Sequence, residues 1–273
     1  MTDTRPFAVV TGASSGIGLE LAKQLAERGF DLLVTAEDDT RLQEAAQRVR
    51  AGGAAVRAVR ADLRDFRETE RLYAAIAATG RPVAVAALNA GIGKGGPFVE
   101  NDLADELSIV DLNIRSTVHL AKLLLRDMTD MDEGRILITS SVASTVPGSF
   151  QAVYNASKSF LQSFAQALRN ELKDTGVTVT ALMPGPTETG FFRRAGMGDT
   201  KIGRQEKDDP ALVAKQGLDA LMAGTDKIVA GSAKTRATGL AAKVVPDRLK
   251  AAAHRGMAAP GSGDRRRDAD EEA

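Results

Sequence analysis

A chain of 273 residues with 43% hydrophobic content can bury one substantial core, and it fits a single α/β domain with a short appendage. Its 36 lysines and arginines balance 36 aspartates and glutamates, and it has no basic arm or aromatic-basic stripe, which argues against nucleic acid as a partner. Cysteine is absent, which excludes disulfides, thiolate catalysis and Cys-ligated zinc, and no metal site is expected.

The first ten residues pass straight into a strand and no apolar run approaches ~18 residues, so a cytoplasmic chain without a membrane span is expected. Short β-rich runs then recur at Phe7 to Val10, Leu32 to Thr35, Ala55 to Val59, Val83 to Leu88, Arg135 to Thr139, Val177 to Leu182 and Lys227 to Val229. Helical apolar spacing fills the intervals, as in Gly18 to Arg28 and Arg41 to Arg50. The alternation predicts an α/β fold: one doubly wound domain over 1–257 with a seven-stranded parallel sheet, apolar strands and helices on both faces.

Two longer helices are expected. Leu112 to Met128 carries Ile114, Val118, Ala121, Leu125 and Met128, and Gln151 to Lys173 carries Phe160, Phe164, Leu168 and Leu172 at steps of four. Either stripe serves the core or a subunit interface. Gly190 to Asp209 breaks the alternation with Phe191, Phe192, glycines and charges, and reads as a substrate lid at 190–209 or a plain surface connection. Asp209-Pro210 opens a helix. A C-terminal helical extension over 232–257 and a charged, apolar-poor, disordered tail over 258–273 complete the chain.

The first strand runs into Thr11-Gly12-Ala13-Ser14-Ser15-Gly16-Ile17-Gly18. Glycines at 12, 16 and 18 permit a tight turn, let backbone amides approach a pyrophosphate and allow close helix packing, while the helix N-terminus favours the anion. The spacing is Gly-x-x-x-Gly-x-Gly, so a plain turn is the competing reading. Gly12 to Gly16 also spells the Gly-x-Ser-x-Gly elbow of serine hydrolases with Ser14 as nucleophile, a reading that needs His119 or His254. Asp62-Leu63 and Asn89-Ala90-Gly91 end the third and fourth strands on the same sheet edge. Asp62 is a candidate acceptor for an adenine amino group, and Asn89 with small neighbours lets the chain pass close to a ribose or braces the strands; as tripeptides both are also turn signals.

Tyr154 and Lys158 stand at i and i+4, on one helix face. An ammonium beside a phenol lowers its pKa from ~10, so the phenol can exchange a proton as an alcohol and a carbonyl interconvert. Ser141, at the end of an apolar strand, is placed to bind the carbonyl oxygen. Asn113 can hold a water near Lys158, or act as a structural cap or kink. Val146, Phe150, Phe191, Phe192 and Met197 are the candidate apolar pocket for an alcohol or ketone.

In combination these motifs resemble the short-chain dehydrogenase/reductase family from about Pro6 to Gly231: Thr11 to Gly18 is similar to its cofactor loop, Asn89 to Gly91 to its strand-four motif, and Asn113, Ser141, Tyr154 and Lys158 to its catalytic tetrad. Pro184-Gly185-Pro186-Thr187-Glu188-Thr189 resembles the segment bordering the nicotinamide, which implies Pro184, Gly185, Thr187 and Thr189 as cofactor contacts. The resemblance implies a Rossmann sheet, hydride exchange with the nicotinamide, Lys158 on the nicotinamide ribose, and a homodimer or homotetramer through the two long helices. Relatives that prefer NADP usually place a basic residue near Glu37 or at Ser14 or Ser15. The acidic Glu37 therefore favours NAD, with NADP as the alternative. A non-catalytic dinucleotide sensor remains the third reading, although a sensor is expected to lose the tetrad.

Overall fold

Burial on both faces dictates the interior strands. β1 (Phe7–Thr11) is buried at every residue, and β2 (Asp31–Ala36), β4 (Val83–Leu88), β5 (Gly134–Thr139) and β6 (Val177–Pro184) are largely apolar as well. In the computed structural model, which describes residues 5–241 and 245–263, they join β3 (Val56–Arg60) and β7 (Lys227–Ala230) in one sheet. Every pairing is parallel, in the order β3-β2-β1-β4-β5-β6-β7. β3 is not apolar throughout: in Val-Arg-Ala-Val-Arg the two arginines are exposed and the other residues half-buried, because it is an edge strand, where charge discourages further pairing.

Helices α1 (Gly16–Glu27), α2 (Asp39–Arg50) and α9 (Pro210–Met222) cover one face, where Leu21, Leu25, Leu42, Val213 and Leu218 meet Val10, Val34 and Leu182. Helices α3 (Phe66–Ala77), α5 (Ser116–Asp130) and α6 (Ala152–Glu171) cover the other, where Leu72, Leu120, Leu124 and Leu161 meet Val9, Ile136 and Val179. Carboxylates start several helices by capping: Asp38 accepts from Arg41 N, Asp65 from Arg67 N and, as expected for Asp209-Pro210, Asp209 from Ala211 N.

The chain fills positions outward from β1 to β3 and then returns to place β4 on the other side of β1. This reversal opens a crevice at the carboxyl ends of β1 and β4. The long helix expected from Leu112 to Met128 begins differently: α4 (Leu103–Ile109) runs through a π-helical turn, Val110–Arg115, into α5 without a break. Beyond β6 lie two short helices, α7 (Phe191–Arg194) and α8 (Lys201–Arg204), and after β7 come α10 (Ala233–Ala241) and α11 (Asp247–Ala258).

Residues 258–263 are placed where a disordered tail was expected. Ala258 is buried with Ala195 and Met197, Gly261 N donates to Asp199 Oδ2 at 2.7 Å, and Lys201 N donates to Ser262 Oγ at 3.0 Å. Composition there is poor in apolar groups, but polar backbone contacts to the α7–α8 segment replace them. The remainder of the expected tail, 264–273, lies outside the described residues. Among the described residues no helix is long and apolar enough to cross a membrane.

Candidate active site

The glycine-rich turn, the expected phosphate cradle, is assembled where β1 stops. Thr11 Oγ1 accepts from the backbone N–H groups of Asn89 and Ala90 at 2.9 and 3.0 Å, while Asn89 Nδ2 donates to Thr11 O at 3.3 Å. Thr139 Oγ1 donates to Asn89 Oδ1 at 3.2 Å, so Asn89 braces the ends of β1, β4 and β5. Gly12 has φ +67°, and a Cβ on Gly18 would run into the Gly12 carbonyl oxygen and Asn89 Nδ2. Ser15 precedes α1 in extended geometry without capping it through its side chain, which leaves the first-turn amides to another acceptor. A bare-glycine turn leading into a helix start uncapped by a side chain suits a diphosphate, so these residues fit a dinucleotide.

Farther out, Arg64 ties two of the predicted acidic residues together. Its guanidinium donates to Glu37 Oε2 at 2.6 Å and to both oxygens of Asp62 at 2.8 Å. These hydrogen bonds hold the Asp62 carboxyl below its ordinary pKa, outweighing desolvation, so Asp62 stays ionised. Leu63 follows on the cleft wall.

At the other end of the cleft, α6 presents Tyr154 and Lys158 one turn apart. The Ser141 hydroxyl stands near enough to the Tyr154 phenol to lower its pKa. Ser141 Oγ also accepts from Ala143 N at 3.1 Å and lies 3.3 Å from Pro184 O. Lys158 Nζ donates to Thr139 O at 2.9 Å, and Ser140 Oγ donates to Lys158 O at 2.8 Å. Asn113 is fully buried in the π-helical turn. Its Oδ1 accepts from Ile92 N at 2.9 Å, and its Nδ2 donates to Ile92 O and to Ser157 Oγ, each at 2.9 Å. A Cβ on Gly91 would lie 3.2 Å from both Asn113 Oδ1 and Lys158 Nζ, so these two groups converge on that bare Cα.

The electrostatics differ from the expected lowering of the tyrosine by the lysine. Burial pushes Tyr154 up to about 12, against a smaller lowering by the neighbouring Ser141 hydroxyl, and burial pushes Lys158 down to about 8. Lys158 Nζ is 5.8 Å from the Tyr154 ring centroid, and in the protein alone desolvation outweighs its attraction for a phenolate.

Cradle and reacting groups line one cleft of about 950 Å³. It includes Gly12, Ser14, Ser15, Gly16, Ile17, Glu37, Asp62, Leu63, Asn89, Ala90, Gly91, Ser141, Val146, Tyr154, Lys158, Pro184, Gly185, Thr187, Thr189, Phe191 and Phe192. Four predicted residues do not line it. Gly18 and Asn113 stand behind the wall as packing and bracing groups. Met197 is fully buried in a small cluster with Ala195 and Ala258, and Phe150 packs against that cluster with Arg255 over its ring. Their places in the wall are taken by Ile202, Leu249 and Met257, because α8 and α11 fold over the opening. The sequence reading also missed Arg41 and Arg194 at the cradle end. An arginine in a charged, periodic segment carries no local mark of the cleft it will face. A smaller depression of about 430 Å³ at Gln166, Arg169 and Asp226 contains none of these groups.

Neither histidine reaches Ser14. His119 pairs with Glu70 between α5 and α3, under a stacked Phe66, and His254 Nδ1 faces Ser149 O at 3.0 Å. The hydrolase reading therefore lacks its base.

The short chain dehydrogenase family matches residues 6–198 of the chain. An uncharacterized oxidoreductase of Staphylococcus saprophyticus is 31% identical over 78% of this chain and 90% of its own length. Among solved structures, a short-chain dehydrogenase from Sphingobium yanoikuyae in complex with NADPH superposes with TM-score 0.77 at 28% identity, covering 82% of this chain and 87% of its own. A short-chain dehydrogenase/reductase from Burkholderia phymatum in complex with NAD also gives TM-score 0.77, at 26% identity, covering 88% and 92%. With the seven-stranded parallel sheet and the site above, the chain belongs to the short-chain dehydrogenase/reductase family of nicotinamide-dependent oxidoreductases, which interconvert hydroxyl and carbonyl groups.

Proposed function

We propose that Tyr154 is the general acid and base for the interconversion of an alcohol and a ketone on a mostly apolar small molecule. The observation that carries this is that Ser141, Tyr154 and Lys158 line one cleft together, with Ser141 near enough to the phenol to lower its pKa. Burial keeps the phenol protonated at neutral pH, ready to give its proton to a carbonyl oxygen as negative charge builds there, and to recover it in the reverse direction. Ser141 shares the hydrogen bonding of that oxygen. Lys158 is a positioning and electrostatic group held by Thr139 O, and Asn113 fixes the turn beside it. The bound nicotinamide supplies or accepts the hydride.

Gly12 to Gly18, Glu37, Asp62, Leu63, Asn89 to Gly91, Tyr154, Lys158, Pro184, Gly185, Thr187 and Thr189 form the dinucleotide site in this reading, with NAD preferred. Glu37 stands at the end of β2, where a carboxylate accepts from ribose hydroxyls and repels an added phosphate. Arg41 and Arg64 nearby are already engaged by Asp38, and by Glu37 and Asp62, which supports the same preference. The segment 190–209 serves as the lid, with Phe191 packed 5.0 Å from the Tyr154 ring. The enzyme is cytoplasmic in this reading and assembles as a homodimer or homotetramer through α5 and α6, the assembly supported by Phe160, 41% exposed and stacked on Phe164. Titration with NADH and NADPH, followed by turnover of aryl ketones in wild type and Tyr154→Phe, tests the reading. Full turnover in the variant overturns it.

A further inference from the structure

His254 is a titratable group that neither hydride exchange nor the proton relay uses, and it stands in the wall of the reaction cleft. It belongs to α11, outside the 6–198 segment matched by the family. Along α11, Leu249, Ala253 and Met257 line the cleft at steps of four, and Lys250 and His254 form the adjoining row. Lys250 is already engaged: Nζ donates to Thr145 O at 2.8 Å and pairs with Asp247 at 2.7 Å. Among the described residues, His254 is engaged on one side only. Its Nδ1 lies 3.0 Å from Ser149 O, in the loop that leads through Gln151 into α6 and Tyr154.

A carbonyl oxygen can only accept, so the ring nitrogen facing it carries the hydrogen. In a neutral imidazole that leaves Nε2 as a bare acceptor. Burial lowers the pKa of the ring from its ordinary value, outweighing the Ser149 contact, and favours this neutral form. The same cleft is lined by the apolar Val146, Phe191, Phe192, Leu249 and Met257. A hydrocarbon filling that space strips water from Nε2 and leaves it unpaired, whereas a ligand hydroxyl or N–H satisfies it.

We propose that His254 Nε2 accepts a hydrogen bond from a second polar group of the substrate, a hydroxyl or N–H remote from the reacting carbonyl. The substrate class is then a largely apolar ketone or alcohol that carries one further donor. This inference rests on the oxidoreductase reading of the same cleft and deepens it. A site built around such a hydrogen bond rejects the analogue that lacks the donor far more strongly than an apolar wall rejects a missing methylene.

The experiment uses the full chain loaded with whichever of NADH or NADPH binds, and α-tetralone with a hydroxyl or a methoxy group at each position of the aromatic ring. Methoxy keeps the oxygen and removes the donor but adds a methyl group; a preference that arises from that added size survives in His254→Phe, whereas one that arises from the hydrogen bond does not. Ternary Kd, read from cofactor fluorescence, and kcat/KM are measured in wild type, His254→Phe and His254→Asn. At least one hydroxyl isomer is expected to exceed its methoxy partner by about tenfold or more in wild type; His254→Phe abolishes the difference, and His254→Asn, which still offers an acceptor, restores part of it. Equal response to hydroxyl and methoxy isomers in wild type, or a preference that survives in His254→Phe, overturns the assignment while leaving the dehydrogenase reading intact. Failure of both dinucleotides to bind instead overturns that underlying reading, and the assignment with it. His119 is the chain's other histidine, so ring nitrogen resonances are readily assigned, and a bare Nδ1 on His254 also overturns the proposal.

Discussion

Asn113 Nδ2 donates to Ser157 Oγ at 2.9 Å, and Ser157 Oγ in turn donates to Tyr154 O at 2.7 Å. The π-helical turn is thereby fastened to the first turns of α6, the helix that carries Tyr154 and Lys158. π-Helical turns are frequent at functional sites because the extra residue re-aims one side chain. Replacing Asn113 with Leu leaves Ile92 N, Ile92 O and Ser157 Oγ without their buried partner. We expect a loss of roughly 2–4 kcal/mol in urea unfolding. Ser157→Ala removes one link and is expected to cost about 1 kcal/mol and lower kcat more than it raises KM.

Tyr154→Phe keeps the ring packed on Phe191 and removes the proton. Turnover should fall by about 10²–10⁴ while the Kd for the dinucleotide stays within about threefold of wild type, as measured by cofactor fluorescence.

Buried Lys158 predicts a pH signature of stability. Its folded pKa of about 8 lies below the ordinary 10.5, so between those values the unfolded chain binds the proton and the folded chain does not. Stability therefore rises with pH across that window, by an amount of order 3 kcal/mol from this group alone. Tyr154 opposes it only above pH 10, since its folded pKa is about 12 and the unfolded chain loses its proton first. The difference in Tm between wild type and Lys158→Met, measured from pH 7.5 to 10, should narrow or change steadily in favour of wild type as pH rises. A flat difference refutes the buried cation.

At the Glu37 end of the cleft, Glu37→Arg removes the carboxylate from Arg64 and adds a cation beside Arg41. NADH affinity is expected to fall and NADPH affinity to rise, reversing the order by about tenfold or more. Tighter NADPH binding by wild type would overturn the cofactor preference and keep the enzyme class.

Phe160→Glu places a charge in the exposed aromatic stack of α6. If the chain assembles through this face, light scattering at micromolar concentration should show a shift toward monomer, with cofactor binding by the monomer retained.

The fold and the cradle were legible because their signals are local. Interior parallel strands must be apolar on both faces, Thr11 to Gly18 codes its own turn, and Tyr154 with Lys158 share a helix face by the i, i+4 rule alone. Position after the first strand favoured the phosphate-loop reading of an ambiguous glycine cluster, and the placement of His119 and His254 took the base from the hydrolase alternative. What lay beyond sequence depended on contacts between distant segments. Nothing near Asn113 marks the π-helical turn that buries it, since that turn is stabilised by Ile92 and Ser157. Phe150 and Met197 have the composition of pocket residues yet pack away from the cleft, and Leu249, Met257 and His254 enter it from a charged helix near the C-terminus. Periodicity determines which residues share a face of one element; which face meets a ligand is decided by the packing of all elements together, because desolvation and hydrogen-bond satisfaction depend on everything within a few ångströms in space.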